Sequence, residues 1–97
     1  MQPPFDLEKA IELGEYDPEI LQNYPEWQSL GKHAQYQLIR RGLKNRRTHL
    51  RMQYAEVFNQ PDFSRKPYLK PALKKIEVAL KELTAEEERM QIEFAGC

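Results

Sequence analysis

The fold is decided by residues 25–58, which read PEWQSLGKHAQYQLIRRGLKNRRTHLRMQYAEVF. Apolar residues recur there at steps of three, four and seven, which places them on one side of a helix. They are Tyr36, Ile39, Leu43, Leu50, Tyr54 and Val57. A second apolar arc, formed by Trp27, Leu30, Ala34 and Leu38, lies about a third to a half turn away. We therefore predict one long helix over 25–58, with Gly31 as a potential break.

The same stretch carries a basic face. Arg40, Lys44, Arg47 and Arg51 stand at i, i+4, i+7 and i+11, a spacing that stacks four cations along a helix. Residues 27–55 contain no acid. Their cations are Lys32, Arg40, Arg41, Lys44, Arg46, Arg47 and Arg51. Arg40, Lys44, Arg46, Arg47 and Arg51 are the candidate site for an anionic partner.

Charge is distributed unevenly, although fifteen acids and fifteen bases cancel over the whole chain. Residues 1–26 hold seven acids against Lys9 alone, and the region after the basic helix is nearly balanced. Charge runs are usually solvated or internally compensated. We therefore favour an acidic N-terminal segment that folds onto the basic helix, over an external anionic ligand, with Asp17, Glu19 and Glu26 among the expected partners.

Start and stop signals divide that acidic segment into short helices. Asp6 can cap a helix over Leu7–Leu13 with Gly14 at its end, and Asp17-Pro18-Glu19 is a second start signal. Pro25 closes the second helix within about two turns. Helices this short are marginal alone in water, so they must dock on a surface. The residues expected to dock are Ile11, Leu13, Ile20 and Leu21.

The last helix has a heptad seam. Its members are Leu69, Leu73, Ile76, Leu80, Leu83, Met90 and Phe94, with Glu87 in the one polar slot. The loop before it, residues 59–67, is short enough to make the two long helices antiparallel. If facing residue numbers sum to about 126, Glu87 lies near Arg40 and Arg41, and we predict a structural ion pair among these three.

The predicted fold is all-α: a long antiparallel, coiled-coil-like helical hairpin with one or two short N-terminal helices packed against it. We assign a single domain over 1–97. Its parts are the short acidic helices at 1–24, the long basic helix at 25–58, the loop at 59–67 and the heptad helix at 68–95. Gly42 has two interpretations: a tolerated surface glycine, which costs about 1 kcal/mol in a helix, or a close approach by another backbone or a ligand.

Motifs of catalysis are absent. There is no glycine-rich phosphate loop, no Cys/His metal spacing and no nucleophile elbow, and His33 and His49 are sixteen residues apart on one helix. We expect no enzyme, cofactor, metal or small-molecule substrate. Cys97 is the lone cysteine, which favours a reducing, cytoplasmic compartment. No run approaches the ~18 apolar residues of a membrane span, so no membrane role is expected.

Two binding functions remain. The first is a helical interaction module that binds a protein partner or forms a homo-oligomer through its heptads and charged faces. The second is a nucleic-acid-binding protein that contacts phosphates through Arg40, Lys44, Arg47 and Arg51. Neutral overall charge counts against the second, and so does the lack of an exposed aromatic residue interleaved with these cations. We therefore rank the protein partner first.

Overall fold

The structure is a computed structural model that describes residues 6–95, and these residues contain helices and no strands. The helices are α1 (Leu7–Glu12), α2 (Pro18–Leu21), α3 (Pro25–Gln28), α4 (Lys32–Phe58) and α5 (Leu69–Glu93), with a 3₁₀ turn at Phe63–Arg65. The predicted all-α class and helical hairpin are confirmed. The expectations for residues 1–5 and for Cys97 lie outside the described residues.

The long helix predicted over 25–58 is broken, and Gly31 is part of the break. Helix α3 ends after Gln28, and Gly31 has the extended φ and ψ of an N-cap for α4. Across the break, the Gln35 side-chain Nε2 donates a hydrogen bond to the Trp27 carbonyl at 2.9 Å. Three short N-terminal helices therefore precede the hairpin, where we expected one or two.

The N-terminal helices dock on α4, as predicted, and form one core with the base of the hairpin. Ile11 and Leu21 are fully buried, whereas Leu13 and Ile20 are about half exposed, so the expectation was wrong for these two. The buried residues of this core are Leu7, Ala10, Ile11, Leu21, Tyr24, Trp27, Ile39, Leu43, Leu83, Met90 and Phe94. Each fully buried aliphatic side chain contributes about 1.5–3 kcal/mol of transfer free energy.

Gly14 ends α1 with a left-handed conformation, φ +95°. Around it, the Glu15 amide donates to the Ala10 carbonyl at 2.9 Å and the Gly14 amide to the Ile11 carbonyl at 3.0 Å. This is the Schellman pattern, which satisfies carbonyls that a helix end leaves unpaired. The Asn45 side chain of α4 also donates to the Ile11 carbonyl at 2.9 Å, which fixes the end of α1 against α4.

Gly42 lies under the chain that leaves α1. A Cβ atom built on Gly42 would be 2.1 Å from the carbonyl oxygen of Glu15 and 3.2 Å from the Cβ of Tyr16. No side chain fits at such distances. The close approach by another backbone is therefore the correct interpretation of Gly42, and a tolerated surface glycine is not.

Facing pairs show that α4 and α5 run antiparallel, but in a different register from the predicted one. The rings of Tyr36 and Phe94 stack at 5.6 Å between centroids, and the Tyr54 hydroxyl lies 3.4 Å from a Glu77 carboxylate oxygen. These residue numbers sum to 130 and 131 rather than 126. The loop contains a 3₁₀ turn whose Phe63 packs on Phe58, so its length alone does not set the register.

The molecule is elongated, 52 × 30 × 17 Å, and its two halves differ in burial. At the base of the hairpin the short helices add a third layer. In the tip half, residues 50–80, α4 and α5 pack on each other and on the 3₁₀ turn, and Leu73 is the only buried residue. The apolar seam of the tip half is therefore partly open to solvent.

Candidate functional site

An open groove of about 680 Å³ runs between α4 and α5, and we call it the cationic groove. At about 100° per residue, its α4 wall lies on the side of the helix opposite Gly42 and Asn45, which contact α1 and the turn after it. Its lining residues are Tyr36, Gln37, Arg40, Arg41, Leu43, Lys44 and Arg47 of α4, and Glu87 and Gln91 of α5.

The structure brings three of the five predicted anion-binding residues together in this groove: Arg40, Lys44 and Arg47. Arg51 continues their stripe by one turn but does not line the groove. Arg46 lies on the opposite side of α4, where its Cα would be 3.1 Å from a Cβ built on Gly14. Arg46 is therefore part of the contact with the N-terminal segment and not of the groove.

Glu87 pairs with Arg47, at 2.5 Å between the carboxylate and guanidinium, and not with Arg40 or Arg41 as predicted. Both side chains are partly buried, at 34% and 25% exposed. The register accounts for part of the error, because sums of 130 and 131 place Glu87 opposite Leu43 and Lys44, about one turn further along α4 than predicted, and Arg47 lies on the next turn. A half-buried pair of this kind fixes the alignment of two helices more than it stabilises them.

The acidic N-terminal segment docks but does not neutralise the basic stripe. Its helices lie on the other side of α4, and their one ion pair with α4 joins Glu8 to Arg41 at 3.4 Å, both exposed. Glu19 forms no ion pair in residues 6–95, and the other two expected partners are engaged elsewhere: Asp17 accepts the Glu19 amide, and Glu26 accepts the Leu7 amide at 3.0 Å. They act on helix N-termini, where carboxylates satisfy amides that lack a partner.

As a result, Arg40, Lys44 and Arg51 form no ion pair with any acid in residues 6–95. The Arg40 guanidinium instead lies 5.9 Å from the centre of the Tyr36 ring, and the Lys32 ammonium 5.7 Å from the Phe94 ring. Cation–π contacts of this kind hold a charge in place without neutralising it. The groove therefore has a wall of cations on α4 next to a surface that is partly apolar.

A second basic run, at the hairpin tip, was missed by the sequence analysis. Residues 63–76 contain no acid, and their cations are Arg65, Lys66, Lys70, Lys74 and Lys75. We had averaged charge over the whole region after the basic helix, where the acids of the second half of α5 balance these five bases. A shorter counting window would have shown the run.

No family model, no characterised protein and no solved structure matches this chain. Within residues 6–95, no three His, Cys, Asp or Glu side chains are close enough to hold a metal ion. None of the helices in the same residues has the length and apolar character needed to cross a bilayer. A function must therefore be inferred from the geometry of the cationic groove and of the basic run at the hairpin tip.

Proposed function

We propose that the protein is a non-catalytic interaction module whose cationic groove binds an acidic helix of a protein partner. The observation that carries this proposal is the presence of cations in the groove that have no ion-pair partner among the described residues. Arg40 and Lys44 line it without an ion pair to any acid in the described part of the chain, while Glu87 meets only Arg47.

The shape of the groove suits a helix. Two antiparallel helices form a trough into which a third helix can pack, with interaxial distances of about 8–10 Å. The partly exposed Tyr36 supplies apolar surface, and Arg40, Lys44 and Arg47 repeat at the spacing of carboxylates along one side of a helix. Charge pairs at such an interface mainly contribute specificity and association rate, so the apolar contact must supply much of the affinity.

A second copy of the chain is a weaker candidate for this groove. Its own acids are largely engaged: Glu12 with Lys9, Glu86 and Glu93 with Arg89, and the acids discussed above with amides or arginines. The exposed acids with neither an ion pair nor a hydrogen-bonded carboxylate in residues 6–95 are Glu19, Glu56, Asp62, Glu82 and Glu88; they are spread over α2, α4, the loop and α5, and do not form a line at helical spacing. Self-association remains the alternative form of this proposal, and the partly open seam of the tip half supports it.

Nucleic-acid binding by the basic face is the second candidate function. It is supported by the stripe itself, because Arg51 extends Arg40, Lys44 and Arg47 beyond the groove over eleven residues, about 16 Å. Against it, the carboxylate of Glu87 lies among these cations and repels phosphates. We therefore keep the protein partner first.

The direct test is calorimetric titration of the protein with a synthetic amphipathic helix of about 18 residues, roughly 27 Å long. It carries leucines on one side and glutamates at i, i+4, i+7 and i+11. A peptide with glutamine at those four positions is the matched ligand control. We expect the glutamate peptide to bind at least about tenfold more tightly at low salt, with a difference that shrinks as salt screens the charges.

Arg40→Gln/Lys44→Gln should remove most of that preference, whereas Lys9→Gln/Arg89→Gln, with the same loss of charge outside the groove, should retain it. Sedimentation of the protein alone tests self-association, and a labelled DNA duplex tests the second candidate. Equal binding of both peptides, or a preference that survives Arg40→Gln/Lys44→Gln, would contradict the proposal.

A further inference from the structure

The outer face of α5 carries an apolar line that the rest of residues 6–95 leaves open. Val78, Ala85 and Ile92 repeat every seven residues, which places them along one side of the helix. Val78 is 43% exposed, Ile92 is 77% exposed, and Ala85 is also exposed. At about 100° per residue, Ala85 lies about 160° around the helix from the buried Leu83. The line therefore points away from α4 and the core.

Two pairs of opposite charges border this line, one pair on each side. Glu82 and Arg89 lie about 60° to one side of it, and Lys81 and Glu88 lie about 40–60° to the other. All four side chains are exposed. Within residues 6–95, Lys81, Glu82 and Glu88 form no ion pair, and Arg89 pairs only with acids of its own helix. We call the apolar line and these four charges the outer strip of α5.

The apolar line is complementary to itself when two copies of α5 run antiparallel. In a dimer with a two-fold axis, residues that face each other have numbers with a constant sum, and each contact occurs twice. If Ala85 lies on the axis, the sum is 170 and Val78 faces Ile92 of the second copy. The small side chain of Ala85 lets the two helices approach closely at the centre, since interaxial distance depends on the side chains at the contact.

The bordering charges select the same alignment. A two-fold axis between antiparallel helices brings each flank against the same flank of the second copy. Glu82 then faces Arg89 and Lys81 faces Glu88, with sums of 171 and 169. A shift by one heptad brings Glu82 near Glu82 and Lys81 near Lys81, and the opposite shift does the same for Arg89 and Glu88. Like charges across an interface are unfavourable, so only the alignment centred on Ala85 suits both flanks.

The basic run at the hairpin tip disfavours a parallel pairing. Parallel copies would also bring Glu82 beside Lys81, but they would place Lys75 of each copy beside Lys74 of the other. They would also bring together the two tips, each with five bases between residues 65 and 75 and no acid. In the antiparallel pairing the tips lie at opposite ends of the dimer, where they do not repel each other.

We propose that a second copy of the chain docks antiparallel on the outer strip of α5. The line from Val78 to Ile92 is about 21 Å long, and small interfaces belong to weak complexes, so we expect a dissociation constant on the order of 100 μM. The strip shares no residue with the cationic groove, so the inference does not depend on the proposed function. Lys81 and Glu88 lie on the side of α5 that borders the groove. The two-fold axis therefore places both grooves on one face of the dimer.

The first test is analytical ultracentrifugation of the full chain over a range of concentrations that extends to about 1 mM, tenfold above the expected dissociation constant. We expect a reversible monomer–dimer equilibrium. Ile92→Gln should weaken it by about tenfold or more, because two apolar side chains are lost from each dimer. The control is Met52→Gln, which removes a side chain that is 56% exposed on α4, and it should dimerise as wild type.

Charge reversal tests the alignment. Lys81→Glu and Glu88→Lys should each weaken the dimer by about fivefold at low salt, because each places like charges together at two symmetric contacts. Lys81→Glu/Glu88→Lys should restore it, since these two positions face each other. In a parallel pairing the double variant would not be restored, because its new charges would lie beside Glu82 and Arg89. Lys70→Glu, with the same change of charge on α5 outside the strip, is the control and should match the wild type.

Disulfide formation tests the direction of the helices, with Cys97→Ser in every protein. An equimolar mixture of Val78→Cys and Ile92→Cys should form a cross-linked dimer under mild oxidation, because these positions face each other. Neither variant should cross-link alone, since like positions are about 21 Å apart along the axis and a disulfide spans about 6 Å between Cα atoms.

Several results would overturn the inference. One is a protein that stays monomeric at the highest concentration; binding of the glutamate helix by that monomer would leave the proposed function intact. Another is a dimer that Ile92→Gln does not weaken, and loss of that dimer in Arg40→Gln/Lys44→Gln would place the second copy in the cationic groove. Cross-linking of Val78→Cys alone would show a parallel pairing.

Discussion

At the residue scale, Gly42 is the position where the sequence left two interpretations and the structure leaves one. The signal was present as a glycine inside a strongly helical pattern. The reason for the glycine was not visible in the sequence, because the backbone that crosses Gly42 belongs to Glu15, twenty-seven residues earlier. A local pattern cannot show which distant segment approaches a helix. The same limitation applies to Asn45, whose hydrogen bond to Ile11 spans thirty-four residues.

Gly42→Ala should destabilise the protein by about 1–3 kcal/mol, despite the better helix propensity of alanine, because the new methyl group overlaps the Glu15 carbonyl. Denaturant unfolding measures the difference. Gly31→Ser is the matched control: a Cβ there meets nothing within 4 Å, and serine is a better N-cap than glycine. A stabilised Gly42→Ala variant would show that Glu15 does not cross α4 at this point.

Two tyrosines make the stability of the folded protein depend on pH in the alkaline range. Burial raises the pKa of Tyr24 above its usual 10, and burial followed by the nearby Glu86 raises the pKa of Tyr16. The folded state therefore holds these protons more tightly than the unfolded chain. Their contribution is complete below pH 10 and is lost as pH rises through the raised values.

The denaturation midpoint should therefore fall more between pH 8 and about pH 10.5 in the wild type than in Tyr24→Phe. Lysine deprotonation supplies a background common to both proteins. Tyr68→Phe, which alters an exposed ring, is the control and should match the wild type. An equal fall in Tyr24→Phe and wild type would contradict the assignment to burial of Tyr24.

At the element scale, helix starts were predictable because their signals are local. Asp17 and Pro18 begin α2, and Pro25 begins α3, as their sequence indicates. The partner of Glu87 was not predictable, since a register depends on packing along the whole seam. Tyr36 stacks on Phe94 at the far end from the loop, and that contact moves Glu87 to Arg47. The cationic stripe on α4 was therefore predictable from the sequence. The α5 wall of the groove was not, because it depends on the register of the two helices.

Docking of the N-terminal helices can be tested by two isoleucines with opposite environments. Ile11→Ala should cost about 2–4 kcal/mol of unfolding free energy, because Ile11 is fully buried between α1 and α4. Ile20→Ala should cost less than about 1 kcal/mol, since Ile20 is half exposed. Urea unfolding followed by Trp27 emission measures both. Equal, small costs would show that the N-terminal segment is not packed on α4.

At the scale of the whole molecule, charge is arranged so that neutrality overall hides two open basic surfaces. Asp6, Asp17 and Glu26 accept amides at helix N-termini, and half of the acids of α5 pair with a cation: Glu86 and Glu93 with Arg89, and Glu87 with Arg47. The groove and the tip keep their cations. Neutral overall charge was one of our two arguments against nucleic-acid binding, and this arrangement of charges removes much of its force.

The elongated shape gives a prediction independent of any ligand. The Cα radius of gyration is 16.2 Å, whereas a compact domain of this length has about 12.5 Å. Small-angle scattering of a monodisperse sample should show the larger value and a distance distribution with a long tail. A profile that fits a compact sphere would rule out the extended hairpin.

The central claim is that the cationic groove recognises the carboxylates of a partner helix. The most direct measurement is a charge swap by calorimetry: wild type and Arg40→Glu/Lys44→Glu, each titrated with the glutamate helix and with the same helix carrying lysines. We predict that the wild type binds the glutamate helix and the reversed variant binds the lysine helix, at comparable affinity, once circular dichroism confirms folding. A folded variant that still prefers the glutamate helix would contradict the claim.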